Sequence, residues 1–558
     1  MRKLWMVVFT LILSGLGAAA AVAAPNATDQ PRTMDHVIDS VIKNEKRANQ
    51  QIKQYSPLVE TYIQNLKPDK KLGDVIAGDK YFLGRADFSK GVALVSLTDT
   101  NSKGPKVFGS IGNFFSFAMQ FLPGGFLQMI FIDTNGFDKQ HYKFDYVRRE
   151  FLGEVRCLVF DVTPQENSGM GRFLGRIWVE DQDFNIVRFN GRYTGGGHSS
   201  HYFHFDSWRT NVQPGLWMPS FVYSEERELR YALVKKLDFK GQTRLWGYNL
   251  GQAAREQELS NILVETPVQD DTKTANDLTP VQAQRSWDRH AEENVADHLE
   301  RIGLMAPRGE VDKVLEMVVN NLEVTNNLDI DPEVRCRVLM TTTLESFTLG
   351  HTIVLSRGLI DVLPDEASLA MVIAHELGHV VLGHRMDSKY AFFDKLLVED
   401  KDTFRHFYFA RTPAEERAAG EKGLQFLNNS PYKNQLGNAG LFLAALHSRR
   451  KEIPSLISAH LGDRVRVIAD LKTAAPADAK QNPQMLAALP IGGRVKLDPW
   501  ADKLELIKSK PVGVGTVAER EKMRFEVTAF MPYLTRFGTE AAKPIVISSA
   551  ELQNQKNN

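Results

Sequence analysis

The sequence predicts an α+β protein in which a β-rich N-terminal half precedes a mainly helical core. Three observations predict it. Short β-branched and aromatic runs follow one another between about Tyr81 and Leu250, with turn residues between them. Apolar residues at helical spacing take over from about Glu293. One helical stretch carries His375-Glu376-Leu377-Gly378-His379, an H-E-x-x-H pattern. With 558 residues, 43% hydrophobic and 24% charged, the chain has apolar material for about three or four domains. Lys+Arg and Asp+Glu both number 68, so the basic excess of a nucleic-acid binder is missing and no nucleic-acid partner is expected.

The first element is an export signal over residues 1–24. Arg2 and Lys3 form a basic start, Leu4 to Leu16 is apolar, and Ala21-Val22-Ala23 is an A-x-A cleavage site. Pro25 disfavours cleavage directly before it, which points to the Ala23/Ala24 bond. The expected location is a bacterial periplasm or the exterior; an uncleaved segment of this length would instead leave the protein membrane-associated. Export permits a disulfide, but sequence distance does not decide whether Cys157 and Cys336 pair.

Residues 25–267 read as an accessory β-rich domain, shaped as an antiparallel half-barrel. Residues 34–66 look helical and charged, with Val37, Val41 and Ile42 apolar. Strands are expected at Leu94–Leu97, Val155–Val162, Arg176–Val179 and Ile186–Phe189, with Asp181–Asn185 as a turn. Residues 107–132 contain no charged residue and are broken by Pro123-Gly124-Gly125. They read as a buried helix followed by a buried strand, or alternatively as a peripheral membrane contact. His198, His201 and His204 read as ordinary sheet or loop histidines rather than a second metal site.

Residues 268–290 read as a linker, 291–475 as the helical core and 476–558 as a small C-terminal extension. In the core, helices are expected at Glu293–Ile302 and Val311–Leu322, with Val314, Leu315, Val318 and Val319 on an apolar face. Strands follow at Val334–Met340 and Thr352–Leu355. Asp365 and Glu366 suit the first turn of the H-E-x-x-H helix, where its dipole favours negative charge. Later, Gly493–Asp498 and Leu504–Ile507 read as strands.

Residues four apart on a helix leave from one face, so His375 and His379 can bind one Zn²⁺ while Glu376 takes a proton from the attacking water. Zinc held this way lowers the pKa of water to about 7 and polarises a carbonyl. A catalytic zinc needs a third protein ligand. Glu415 and Glu416 compete on a helix expected at Pro413–Leu427. Glu416 shares its face with Ala419, Gly420, Gly423 and Leu427, and small residues there allow close approach. Glu415 shares its face with Lys422, which belongs in water. Glu416 is therefore chosen, with one zinc per chain. His384, five residues after His379, points about 140° away and reads as a supporting or surface residue.

At these residues the chain resembles the gluzincin metallopeptidases of the CAAX prenyl protease, HtpX and BepA type. That family joins H-E-x-x-H to a later E-x-x-A-D-x-x-G helix, and Glu416-Arg-Ala-Ala-Gly-Glu-Lys-Gly423 matches its Glu, Ala and last Gly. Gly420 stands where the family has Asp, which implies a weakened support for a ligand histidine or another group in its place. Ser458-Ala-His460-Leu-Gly-Asp-Arg-Val-Arg466 resembles the family's His-Pro element, with Leu461 replacing Pro. By that analogy His460 stabilises the oxyanion and Arg466 supports it, with His447 as a rival and a surface histidine as the plain alternative. Glu345–Gly350 lies where the family has an edge strand that pairs with extended substrate. The resemblance implies a zinc endopeptidase acting on protein or peptide substrates of the cell envelope; a chaperone-like binding factor with little turnover is the competing reading. In the N-terminal half, Phe151–Pro164, Gly175–Asp181 and Ile186–Gly191 resemble the LolA-like lipoprotein-carrier fold.

Overall fold

The computed structural model describes residues 33–69, 73–89, 91–98, 106–108, 123–195, 203–230, 236–248, 279–363, 365–384, 388–393, 396, 398–448, 450–464, 495–498, 503–506 and 534–537. The chain is α+β. An unclosed antiparallel sheet occupies the N-terminal half and a helical region follows. The export signal, His198, His201, Arg466 and most of the C-terminal extension lie outside the described residues.

The first helix, α1 (Met34–Gln51), is capped by Thr33, whose hydroxyl accepts from His36 N. Eleven strands follow: β1 (Leu58–Asp69), β2 (Gly73–Asp87), β3 (Val92–Ser96), β4 (Lys106–Phe108), β5 (Tyr142–Leu152), β6 (Val155–Pro164), β7 (Phe173–Glu180), β8 (Ile186–Tyr193), β9 (Phe205–Gln213), β10 (Leu216–Arg230) and β11 (Lys236–Trp246). Their spatial order is β4-β3-β2-β1-β11-β10-β9-β8-β7-β6-β5. All neighbours are antiparallel, and the sheet closes on itself nowhere among the described residues.

Three expectations need correction. Residues 58–66 form strand, not helix. Leu58, Tyr62 and Leu66 pack toward one face and Val59 and Ile63 toward the other, a period of two that Ser56-Pro57 sets apart from α1. Pro123-Gly124-Gly125 opens the short helix α2 (Pro123–Gln128) rather than breaking a longer one, since Pro is tolerated in a first turn. Residues 129–132 are buried but form no strand. Residues 124–132 thus lie inside the protein, while the longer helix expected before Pro123 lies outside the described residues.

α1 and α2 cover one face of the sheet over a core rich in Phe. Glu45 of α1 is buried there and receives both Nη atoms of Arg209, at 2.7 and 2.8 Å. A buried carboxylate is tolerable only when paired in this way. The opposite face shares its core with the helical region.

That region begins with α3 (Pro280–Arg301), thirteen residues before its expected start and inside the predicted linker. The missed signal is Thr279-Pro280-Val281-Gln282. Thr279 Oγ1 caps Gln282 N, Gln282 Oε1 accepts from Thr279 N, and Pro280 sits at the first helical position. α4 (Glu310–Thr325) buries Leu315, Val318, Val319 and Leu322, whereas Val314 is exposed. β12 (Arg335–Leu339) runs parallel to β14 (Thr352–Ser356), and β13 (Glu345–Leu349) is antiparallel to β14. A two-residue strand, β15 (Asp463–Arg464), pairs with β13 at Glu345 and Ser346. The expected free edge of β13 is therefore covered at that end by the chain itself. Further helices are α5 (Arg357–Val362), α6 (Glu366–Val381), α7 (Pro413–Asn428), α8 (Leu436–Ser448) and α9 (Pro454–Ile457), with a single four-residue turn at Thr403–His406 before α7. β16 (Val495–Asp498) and β17 (Lys503–Leu506) form a hairpin.

Polar contacts tie the large sheet to the helical region. Glu60 of β1 accepts from Thr342 N, Thr342 Oγ1, Tyr81 Oη and Arg244 Nη1. Asp79 of β2 accepts from Ser455 N at 2.9 Å and Leu456 N at 2.8 Å, at the start of α9. Cys157 and Cys336 are both free and buried. Burial pushes the Cys157 thiol up to about 12 and raises that of Cys336 further, so neither is a reactive thiolate at neutral pH.

Candidate metal centre

α6 presents the two histidines. Asp365 caps it, accepting from Ser368 N at 2.8 Å, and Glu366 in its first turn accepts from Tyr432 Oη at 2.7 Å. His375 and His379 leave one face, with their Nε2 atoms 3.3 Å apart. α7 presents Glu416, whose Oε2 lies 3.4 Å from His375 Nε2 and whose Oε1 lies 3.3 Å from His379 Nε2. Among the described residues these three form the one group of candidate ligands, with all their donor atoms within 4.8 Å of one another.

The donor set fits a metal ion. Two imidazole nitrogens and a carboxylate converge with little access to water, an arrangement that needs a cation or shared protons between them. Ligands at about 2.0–2.1 Å from a tetrahedral zinc stand about 3.3–3.4 Å from one another. The observed separations match that edge length. Burial pushes the Glu416 carboxyl up, but the hydrogen bonds from His375 and His379 outweigh it and hold it well below the usual carboxylate range.

Small residues make this approach possible. A Cβ on Gly378 would lie 2.6 Å from Ala419 O, and a Cβ on Gly423 would lie 2.8 Å from Ala374 O. The two helices touch backbone to backbone at those points. Gly420 is different: a Cβ there would meet only His375 Nδ1, at an ordinary 3.8 Å.

Glu415 has its own task. With Thr412 it forms a capping box, accepting from Thr412 N at 2.9 Å and Thr412 Oγ1 at 2.7 Å. Those backbone and side-chain hydrogen bonds hold its carboxyl below the usual range. The pattern Thr-Pro-x-Glu carried this signal in the sequence.

Glu376 is buried, 2% exposed, and accepts from Ser346 Oγ at 2.7 Å. Ser346 lies on β13, so that strand reaches the would-be base directly. Sequence reasoning singled out the strand but not this serine. His384 Nδ1 stands 2.9 Å from His379 Nδ1. With a metal on its Nε2, His379 would carry its proton on Nδ1 and donate it to His384, which would fix the ring plane. Burial, then the neighbouring His379, lowers the His384 pKa and favours the neutral acceptor form.

His460 sits on the segment between α9 and β15. Its ring stacks on Tyr81 at 5.3 Å between centroids and meets Phe404 edge-on at 6.2 Å. Glu345 Oε2 holds this segment by accepting from His460 N, Leu461 N and Gly462 N at 3.0, 3.0 and 3.1 Å. His460 Nε2 is buried and has no hydrogen-bond partner among the described residues. Burial lowers its pKa, which keeps the ring neutral. The rival His447 is exposed at the end of α8. His204 Nε2 lies 2.8 Å from Asn190 Oδ1.

No helix among the described residues is long and apolar enough to cross a membrane. No curated protein matches the chain. Among solved structures, an outer membrane lipoprotein-sorting protein domain from Vibrio parahaemolyticus is similar at 9% identity and a TM-score of 0.21, covering 38% of this chain and 92% of that one. A DUF1329 family protein from Desulfovibrio piger is similar at 10% identity and a TM-score of 0.22, covering 38% of this chain and 94% of that one. Residues 309–398, the stretch from α4 through β12–β14 and α6 that supplies His375, Glu376 and His379, match the model of peptidase family M48.

Proposed function

We propose that the chain is a zinc-dependent endopeptidase of the cell envelope or exterior, acting on protein substrates. The observation that carries this reading is the convergence of His375, His379 and Glu416 at tetrahedral spacing, with Glu376 beside them and the peptidase M48 match covering His375, Glu376 and His379. Zinc bound there would supply a more acidic water and a polarised scissile carbonyl. Glu376 takes the proton of the attacking water and returns it to the leaving amine. Ser346 orients the carboxylate of Glu376. Glu345 keeps His460 close to β13, which supports His460 as a stabiliser of the developing oxyanion.

The test is hydrolysis of unfolded casein by the purified chain, which should be abolished by a chelator and restored by zinc. Metal analysis should give about one zinc per chain, by the single site described. Glu416→Ala should release the metal and stop cleavage. Glu415→Ala should keep the metal and lose only the N3 half of the Thr412–Glu415 capping box. The reverse pattern would show that Glu415 is the ligand. A binding factor with little turnover is the second reading, favoured by β15 occupying part of the β13 edge; it predicts zinc binding without casein cleavage.

A further inference from the structure

β5 is the last strand of the large sheet among the described residues, paired with β6 on one side. It is eleven residues long and exposes Tyr146 (44%), Val147 (38%) and Phe151 (67%). A long edge with outward backbone donors and acceptors and exposed apolar side chains is a template for another strand.

The pairing with β6 slips once. Tyr146 stands opposite Phe160 and Arg148 opposite Val159, so Val147 is an extra, bulged residue. Before the bulge, Tyr142, Phe144 and Tyr146 share a face with Phe160 and Val162. After it, Arg148, Glu150 and Leu152 share the other face with Val159, Cys157 and Val155. The bulge has moved the alternation by one. Lys143, Asp145, Arg148 and Glu150 therefore all lie on one face. Lys143 pairs with Asp145 at 2.8 Å and Arg148 with Glu150 at 2.7 Å along the strand.

We propose that β5 is a self-association surface that pairs antiparallel with β5 of a second copy of this chain, about a two-fold axis between Tyr146 and Val147. In that register Lys143 faces Glu150 of the second copy and Asp145 faces Arg148 of the second copy, and the two-fold repeats both pairs. Tyr146 faces Val147, and Tyr142 faces Phe151. In a regular strand, residues 143 and 150 would point to opposite faces; the bulge on the axis brings them to the same one. Slipping by two residues sets Lys143 against Arg148 or Asp145 against Glu150. Like charges directly opposite are destabilising, so one register is selected and unrelated strands are disfavoured. The charges and bulge that guard an ordinary edge are here arranged for one partner.

The test is light scattering on the purified chain at about 1–100 µM, a range in which dimers with ordinary interfaces form. The expected mass is twice that of the chain. Asp145→Arg alone and Arg148→Asp alone should each halve the mass, because each faces like charge in its own dimer. An equimolar mixture of the two should return to the doubled mass, because each then faces its opposite. A wild-type monomer across the range, dimers in both single variants, or a mixture of folded variants that stays monomeric would each overturn the proposal. If either variant fails to fold by circular dichroism, Lys143→Glu crossed with Glu150→Lys makes the same test.

Discussion

Replacing Glu376 by Gln is expected to leave the metal in place and to lower casein hydrolysis by about 10²–10⁴-fold, the usual cost of losing general-base action. That range corresponds to about 3–5 kcal/mol of lost transition-state stabilisation. The substitution is close to isosteric, and its consequence is chemical rather than structural. Ser346 Oγ donates to Glu376 Oε1 at 2.7 Å, and a Gln oxygen can accept the same bond. The neighbouring side chain and the fold of α6 should therefore stay as they are. His375, His379 and Glu416 are untouched, so zinc content should match wild type. An amide, however, has no lone pair basic enough to take a proton from water. The measurement pairs casein turnover with metal content on the same preparations. Cleavage at the wild-type rate would remove Glu376 from the mechanism. Loss of metal together with activity would assign Glu376 a structural role instead.

The parts of the site written within one helix were legible in the sequence. H-E-x-x-H fixes both imidazoles on one face because the helical repeat does so, whatever surrounds it. The choice of Glu416 was also within reach, since small residues on one face mark close packing. Two further signals were present and unread. Thr412-Pro-x-Glu415 is a capping box that commits Glu415 to its own helix, and Thr279-Pro-x-Gln282 is another that starts α3 inside the supposed linker.

What the sequence does not carry is contact between segments far apart in the chain. Ser346 reaches Glu376 because β13 lies beside α6. Glu345 holds residues 460–462 across more than a hundred positions. Tyr81 of the N-terminal sheet stacks on His460. Each is a product of tertiary packing, with no periodicity to announce it. Residues 58–66 show the local version of the limit: polar residues between apolar ones suit helix and strand alike, and here the neighbours β2 and β11 decide.

The second large effect concerns two glycines one turn apart, which should respond with opposite sign. Gly423→Ala is expected to lower zinc affinity by at least the 10–100-fold typical of a disturbed support around a metal site. Its Cβ would stand 2.8 Å from Ala374 O, 2.9 Å from Ala374 C and 3.0 Å from His375 N. All three are backbone atoms of α6, so no side chain can turn aside. α7 must move away from α6, and that motion withdraws Glu416 from His375 and His379. Overpacking of this kind costs about 1–3 kcal/mol. Helix propensity alone would make Ala better than Gly by about 1 kcal/mol, so a loss isolates the contact. Gly420→Asp should do the reverse. Its Cβ has room, 3.8 Å from His375 Nδ1, and its carboxylate can reach the ring nitrogen that does not face the ligand cluster. A carboxylate there would hold the ring plane and strengthen the ligand, as His384 does for His379. Zinc affinity and casein turnover should both rise. Calorimetric titration of zinc into the three apo proteins, with circular dichroism to confirm the fold, decides the matter. Unchanged affinity in Gly423→Ala would mean that the α6–α7 contact does not position Glu416. Weaker binding by a folded Gly420→Asp would mean that the His375 ring is already held as the metal requires.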